Sequence, residues 1–302
     1  MTTSTGPRAP VDERTIELVK ASKARRAAAH APYRDRSRLA FIVQSFNRIA
    51  NIDRLVAGLR SQGDHELIVC EDGSVDGSAE KWWSLLERPN DFFIHSNDLH
   101  EIRVLDRAID FARAEVVCVV QDDDDVPHDT AWLDAALERF ARHPRLAILG
   151  GFMGYGSFDP DPTKAKQIWG GTEFRFVQHV NIGPYFIRRA AYRDLGGWDH
   201  TFSAPGEPGI GFDNELCLRA WMGGYQVAYS FVPFKGPPGH YAVNGGTALF
   251  SELRARNSER NSATIFHRYG PYAERIDQLV VAANAELAAT STGPARATPP
   301  QA

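Results

Sequence analysis

Val116-Val117-Cys118-Val119-Val120-Gln121-Asp122-Asp123-Asp124-Asp125 is the stretch of this chain that decides its fold. Five consecutive apolar residues, four of them β-branched, read as a strand covered on both faces, because a strand with one solvated face would alternate polar and apolar. On either side the spacing turns helical: Ile102, Leu105 and Ile109 come before it, and Trp132, Leu133, Ala136 and Leu137 after. The same phrase occurs twice upstream. Leu39-Ala40-Phe41-Ile42-Val43 precedes a helical pattern at Ile52, Leu55, Val56 and Leu59, and Leu67-Ile68-Val69-Cys70 precedes one through Trp82, Leu85 and Leu86. Buried strands alternating with helices predict an α/β fold, with a mostly parallel central sheet flanked by helices. Such sheets bind ligands beyond the carboxyl ends of their strands, which directs attention to the residues just after each run.

Those residues are acidic. Glu71-Asp72-Gly73-Ser74-Val75-Asp76-Gly77-Ser78 follows one strand, and Asp122 to Asp125 follow another. Four adjacent carboxylates repel one another at the edge of a packed sheet, and the simplest relief is a divalent cation with hard oxygen ligands. A solvated loop, or a turn capping the next helix, is the structural alternative.

The chain has 302 residues, 43% hydrophobic, 24% charged and 11% aromatic, which fits a globular domain with extensions and excludes disorder throughout. No apolar run reaches the roughly 18–20 residues of a membrane span, and no signal peptide is evident at the start. Cys70, Cys118 and Cys217 are far apart and fall within expected strands or helices, so buried reduced thiols and a cytoplasmic setting are expected. Residues 1–38 hold nine basic and four acidic side chains, a charge of +5, while the remainder holds 25 and 34, a charge of −9. An acidic body argues against nucleic acid as a partner. The basic arm, with a weak apolar stripe at Ile16, Val19 and Ala27 on a helix expected over 13–30, is a candidate for peripheral contact with the inner membrane face or an acidic partner. From Ser291 onward, Ser, Thr, Pro and Ala dominate, and disorder is expected.

Five motifs in register resemble a family 2 glycosyltransferase with the GT-A fold. They are Ser45-Phe46-Asn47-Arg48 after the first strand, the turn from Glu71 to Ser78, the aspartate run, Gly196-Gly197-Trp198-Asp199, and the segment from Gly211 to Arg219. The resemblance covers residues 38–229. It implies nucleotide-sugar binding by the first half, with catalytic and acceptor groups in the second, and hence an inverting, metal-dependent transfer of sugar to an acceptor hydroxyl. The acceptor would be a glycan, a glycolipid or a small molecule. UDP-sugars are favoured as donor and TDP-sugars are a second option. Two alternatives are a catalytically silent carbohydrate-binding protein on the same fold and a sugar nucleotidyltransferase. The latter wants a basic Gly-rich loop after the first strand, where Gln44-Ser45-Phe46-Asn47 stands instead.

Carried over position by position, the resemblance makes Asp72 the acceptor of a ring N–H from the nucleotide base. A carboxylate only accepts, so it suits uracil, thymine or guanine. Ser45, Phe46 and Asn47 line the same pocket, Asp122 lies near ribose and metal, and Asp124 lies on Mn²⁺ or Mg²⁺. Which of the four aspartates coordinates stays open, because a shift of one residue exchanges strand faces. Asp213 matches the catalytic base, although the family's preceding acid is replaced by Phe212. Glu215 with Arg219 reads as a helical i,i+4 pair. Arg103 or Arg107 stands where the family has an Arg-Asn pair, and Arg103 is taken as a diphosphate contact.

Two glycine-rich stretches complete the reading. Gly150-Gly151-Phe152-Met153-Gly154-Tyr155-Gly156 lacks the helix and acidic partner of a dinucleotide fingerprint and is expected to be a loop approaching sugar or acceptor. After a strand at Val227-Ala228-Tyr229, residues 231–247 are too rich in Gly and Pro for regular structure and read as a lid. Within it His240 is a candidate third metal ligand and Lys235 a candidate phosphate contact. The expected division is a basic extension at 1–37, a catalytic domain at 38–256 with a nucleotide-binding half at 38–125 and an acceptor half at 126–256, and C-terminal helices and tail at 257–302.

Overall fold

The computed structural model describes residues 38–96, 101–157, 166–171, 173–204, 206–234 and 251–291, together with Glu17, Lys20, Ala21 and Arg25. Most of the arm at 1–37, residues 235–247 of the expected lid with Lys235 and His240, and the tail beyond 291 therefore lie outside the described residues.

The apolar runs form the middle of one eight-stranded sheet. Its first half is β1 (Leu39–Ser45), α1 (Ile49–Ser61), β2 (Glu66–Glu71), α2 (Ser78–Leu85), β3 (Asp91–His95), α3 (Glu101–Phe111) and β4 (Val116–Gln121). The second half adds α4 (Ala131–Arg142), β5 (Leu146–Gly150), β6 (Met153–Tyr155), β7 (Gln167–Trp169), β8 (Arg175–Phe176), β9 (His179–Val180), β10 (Tyr185–Arg188), α5 (Arg189–Asp194), α6 (Phe212–Met222) and β11 (Gln226–Tyr229). Helices α7 (Ser251–Tyr269) and α8 (Ala273–Ser291) close the chain. The main sheet runs β3-β2-β1-β4-β10-β5-β11-β8, and β7-β6-β9 make a small second sheet.

Strands β3, β2, β1 and β4 are parallel, as their continuous apolar runs require when helices cover both faces. Strand β10 inserts antiparallel between β4 and β5, and β8 lies antiparallel on β11. These two, only four and two residues long, carry too little periodicity to be read from sequence. Register aligns the strand ends: Gln44 pairs with Gln121 and Ser45 with Glu71. The loops after β1, β2 and β4 are thereby brought to one edge.

The cysteines are free and buried. At the amino end of the sheet, buried Glu66 is held by the Arg113 guanidinium at 2.5 Å and by the N–H groups of Arg113 and Ala114 at 2.9 and 3.0 Å, which satisfies a carboxylate that would be costly to bury alone. On the opposite edge, Asn284 of α8 both accepts from and donates to the backbone of Phe176, covering β8. The expected boundary at 256/257 falls inside α7. No helix among the described residues is long and apolar enough to cross a membrane.

Part of the glycine run is strand: Gly150 ends β5 and Met153–Tyr155 form β6, with Gly151 and Phe152 in the bend between them. A Cβ on Gly150 would stand 2.4 Å from Cβ of Val180, and one on Gly154 would stand 3.1 Å from the Tyr229 ring, so these glycines let the small sheet lie directly on the main one. Gly150→Ala is expected to cost about 1–3 kcal/mol by overpacking, seen as a lower melting temperature. An unchanged melting temperature contradicts this packing.

Candidate active site

Three loops meet at the carboxyl edge and are stapled together by backbone and side-chain bonds. Phe46 N–H donates to Asp122 Oδ2 at 2.7 Å, and Asn51 Nδ2 donates to the Asp122 carbonyl at 3.0 Å. Asn47, at φ 53°, donates its N–H to Ser74 Oγ and accepts from Val75 N–H through Oδ1, at 2.9 and 2.8 Å. Asp76 receives Ile49 N–H and Ser78 N–H, each at 3.0 Å, so the acidic turn also caps two helices.

Under that turn lies Glu71, fully buried. Its carboxylate takes the N–H groups of Gly73 and Ser74 and the Nδ1 of His95, at 3.2, 2.6 and 2.6 Å. Asp72, next in sequence, is partly exposed; its N–H donates to the Ser45 carbonyl, and its Oδ1 accepts the Ser96 hydroxyl at 2.6 Å. Glu71 therefore shapes the turn, and Ser96 fixes the rotation of the Asp72 carboxylate. Neither Ser96 nor His95 stood out in the sequence, because β3 ends in a motif without Gly or acidic punctuation.

Ser45, Phe46, Asn47, Asp72 and Asp122 are thus brought together. Two of them are committed elsewhere through their side chains. The Ser45 hydroxyl is buried and accepts the indole N–H of Trp82 at 2.9 Å, and Asn47 ties loop to loop. Arg103 is exposed in the first turn of α3, and no hydrogen bond or ion pair joins it to the other five.

The aspartate run divides by exposure. Asp122 and Asp123 are partly exposed, Asp125 is exposed, and Asp124 is fully enclosed. Asp124 Oδ2 accepts Gln121 N–H at 2.8 Å while its own N–H donates to the Gln121 carbonyl, so this carboxylate closes the turn on itself. One oxygen of Asp124, the metal ligand read from sequence, is thereby engaged by the turn itself. Burial pushes the Asp122 carboxyl up to about 7, opposed by Phe46 N–H and reinforced by the charge of Asp123. Arg48 is near, with Nε 3.9 Å from Asp122, too far for a hydrogen bond. No group of three or more His, Cys, Asp or Glu suited to a metal occurs among the described residues.

Asp213 opens α6 after Gly211, whose φ of 79° makes the turn into the helix. Its Oδ2 accepts Ile182 N–H at 3.2 Å and its Oδ1 accepts Asn214 N–H at 2.9 Å, while Tyr185 donates its hydroxyl to the Asp213 carbonyl at 3.1 Å. Tyr185 pairs with Val119, three residues before Asp122, so the anchoring of Asp213 on β10 sets it at the edge where β4 ends. Burial pushes the Asp213 carboxyl up to about 6 despite those N–H donors. Tyr155, stacked on His179 at 4.2 Å, is close enough that Asp213 adds to the burial that raises its hydroxyl. Its place inside the glycine run hid it from the sequence reading.

Glu215 has a structural part. It is buried, bonded twice to Arg219 at 3.1 and 2.6 Å, and accepts the Tyr269 hydroxyl at 2.6 Å. Helix α7 also grips the segment leading to Asp213: buried Asn261 donates to the carbonyls of Phe202 and Ile210 at 2.7 and 2.8 Å. Tyr269→Phe is expected to lower stability by about 1–3 kcal/mol, by removing a hydrogen bond to a buried charge, and to leave nucleotide affinity unchanged. Thermal melting beside a UDP titration checks both halves of that expectation.

Three kinds of comparison bear on this site. The sequence matches the glycosyl transferase family 2 profile over residues 40–202, more than half the chain. No curated protein matches it. Among solved structures, S. aureus TarS 1-349 is 16% identical over 80% of this chain and 83% of that one, with a TM-score of 0.48. GalNAc-T7 with UDP, GalNAc and Mn²⁺ is 12% identical over 64% of this chain and 42% of that one, with a TM-score of 0.49. CMP:2-keto-3-deoxy-manno-octonic acid synthetase with CTP is 12% identical over 74% of this chain and all of that one, with a TM-score of 0.42. The family match takes in β1, the acidic turn, the aspartate run and the Gly-Gly-Trp-Asp segment in order, and the chain belongs to glycosyl transferase family 2, as a glycosyltransferase of the GT-A fold.

Proposed function

We propose that this glycosyltransferase takes its sugar from a nucleoside diphosphate sugar, UDP-sugar first and TDP-sugar second, and passes it with inversion to an acceptor hydroxyl. The observation that supports this reading is that the loops carrying Asp72 and Asp122 are bonded together after β1, while Asp213 is anchored to Tyr185 at the start of β10, the strand beside β4. Asp72, rotated by Ser96, accepts the ring N–H of the base. Phe46 and the backbone beside Ser45 and Asn47 form the wall of that pocket, and Arg103 is the proposed cation for the diphosphate.

A divalent cation fits the donor set. Asp122 and Asp123 are two adjacent hard-oxygen groups, and Asp122, raised first by burial and further by the charge of Asp123, has Arg48 near it but not hydrogen-bonded to it. Mg²⁺ and Mn²⁺ sites of this type use one or two carboxylates and fill their remaining positions with phosphate and water. Asp122 and Asp124, as read from the sequence, are the proposed ligands among the described residues, with the more exposed Asp123 beside them and His240 a proposed third. Bound there, the ion would supply counter-charge to the departing diphosphate.

The chain's own residues do the rest. Asp213, ionised above a pKa of about 6, takes the acceptor's proton as that oxygen attacks the anomeric carbon. One bond forms from acceptor oxygen to carbon while the bond from carbon to diphosphate oxygen breaks on the opposite face, so the configuration inverts. The protonated base is left on Asp213.

Base choice tests the first half of this reading. Cytosine has no ring N–H at the edge where uracil has one, so wild-type protein should bind UDP roughly 10- to 100-fold tighter than CDP, as one hydrogen bond to a charged group is worth. Asp72→Asn, which can both donate and accept, should erase that preference. Calorimetric titration with both nucleotides reads it, and equal affinities in the wild type would refute the assignment of Asp72.

A further inference from the structure

A second concavity lies at the other side of the sheet. Strand β8 is four strands from β4, roughly 19 Å at the usual strand spacing, and between β8, the start of β7, α4 and α8 opens a cavity of about 820 Å³. That volume falls within the roughly 300–1,000 Å³ of small-molecule sites. Its lining is of two kinds. Ile168, Phe174 and Leu287 offer apolar surface, and Arg139, Lys166 and Arg175 bring three cations to it.

Among the described lining residues three cations face one acid, Glu173, whose side chain is 83% exposed and stands 3.4 Å from Arg175. Arg139 is held over the Phe174 ring at 4.8 Å, and neither it nor Lys166 forms an ion pair among the described residues. Apolar walls beside an excess of cations over acids among the described lining residues suit a molecule that has an anion at one end and hydrocarbon at the other.

We propose that this cavity binds one anionic amphiphile, with its alkyl chain against Phe174, Ile168 and Leu287 and its headgroup between Arg139, Lys166 and Arg175. The site is separate from the nucleotide edge, and its occupancy does not depend on the donor.

Calorimetric titration with dodecyl phosphate, kept below its micellar concentration, tests the proposal. One molecule should bind per chain. Arg139→Ala and Lys166→Ala should each weaken binding roughly tenfold, the worth of a charge-assisted bond. Val281 lines the cavity and is 67% exposed, so Val281→Trp should block it with the fold kept, as an unchanged melting curve would verify. Inorganic phosphate and neutral dodecyl maltoside should each bind at least roughly tenfold more weakly, since each lacks one half of the ligand. Absence of dodecyl phosphate binding overturns the proposal, as does affinity unchanged in the cation or Trp variants. Equal binding of the maltoside would reduce the site to a greasy surface, and equal binding of phosphate to an anion site, and either result also overturns it.

Discussion

Asp213→Asn is expected to lower turnover by roughly 10²- to 10⁴-fold while UDP affinity stays within a factor of about two, because the change keeps the side-chain shape and removes its ability to take a proton. The pH dependence follows from the same group. Its carboxyl titrates at about 6, raised from the ordinary range by burial, and a base works only when ionised. With saturating metal holding Asp122 ionised, turnover of the wild type should therefore climb as pH rises through about 6 and level off above it, and the variant should lose that limb. Glu215→Gln is the control. Glu215 is locked to Arg219 and Tyr269, so its loss should appear as a lower melting temperature, with turnover per folded molecule retained. A folded Glu215→Gln protein without turnover, beside an active Asp213→Asn, would move the base to Glu215.

Removing divalent cations is the second large effect. Excess EDTA should suppress turnover by roughly 10³-fold or more, with Mn²⁺ or Mg²⁺ restoring it, since counter-charge on a departing diphosphate is worth several kcal/mol. Asp123→Ala should mimic EDTA in part at an unchanged melting temperature, because Asp123 is partly exposed on the turn. Asp124→Ala should behave differently. Its carboxylate is enclosed and closes the turn onto Gln121, so its loss should cost about 1–3 kcal/mol of stability along with the loss of turnover. Melting curves and steady-state rates for the two variants separate them. Full activity in excess EDTA would refute the metal proposal outright.

The parallel half of the fold was legible because strands covered on both faces announce themselves as unbroken apolar runs, and their ends announce the site through acids and glycines. Cys118 and Val119 could be read as buried from their neighbours alone. Tyr185 could not. Strand β10 has four residues, and nothing local marks it as the antiparallel insert that carries the anchor for Asp213. The aspartate run shows a second limit. Four identical residues have identical chemistry, and only the backbone turn decides that Asp124 is fully enclosed while Asp122 and Asp123 keep part of their surface exposed. Side chains that hold distant groups, such as Ser96 on the Asp72 carboxylate and Asn261 on the carbonyls of Phe202 and Ile210, are long-range partners with no sequence signature. Gly150 and Gly154 were visible as glycines, but their reason, the close approach of two sheets, exists only in three dimensions.

The central claim is that Asp72, Asp122 and Asp213 form one nucleotide-sugar transfer site. Its most direct test is release of nucleoside diphosphate from a panel of UDP-, TDP-, GDP- and CDP-sugars in the presence of Mn²⁺, by the wild type and by Asp213→Asn. The wild type should release diphosphate from UDP- or TDP-sugars, not from CDP-sugars, and only with the metal, and Asp213→Asn should bind the same donor and release almost none. Failure of the wild type to bind or turn over any of these donors, or equal release by Asp213→Asn, would contradict it.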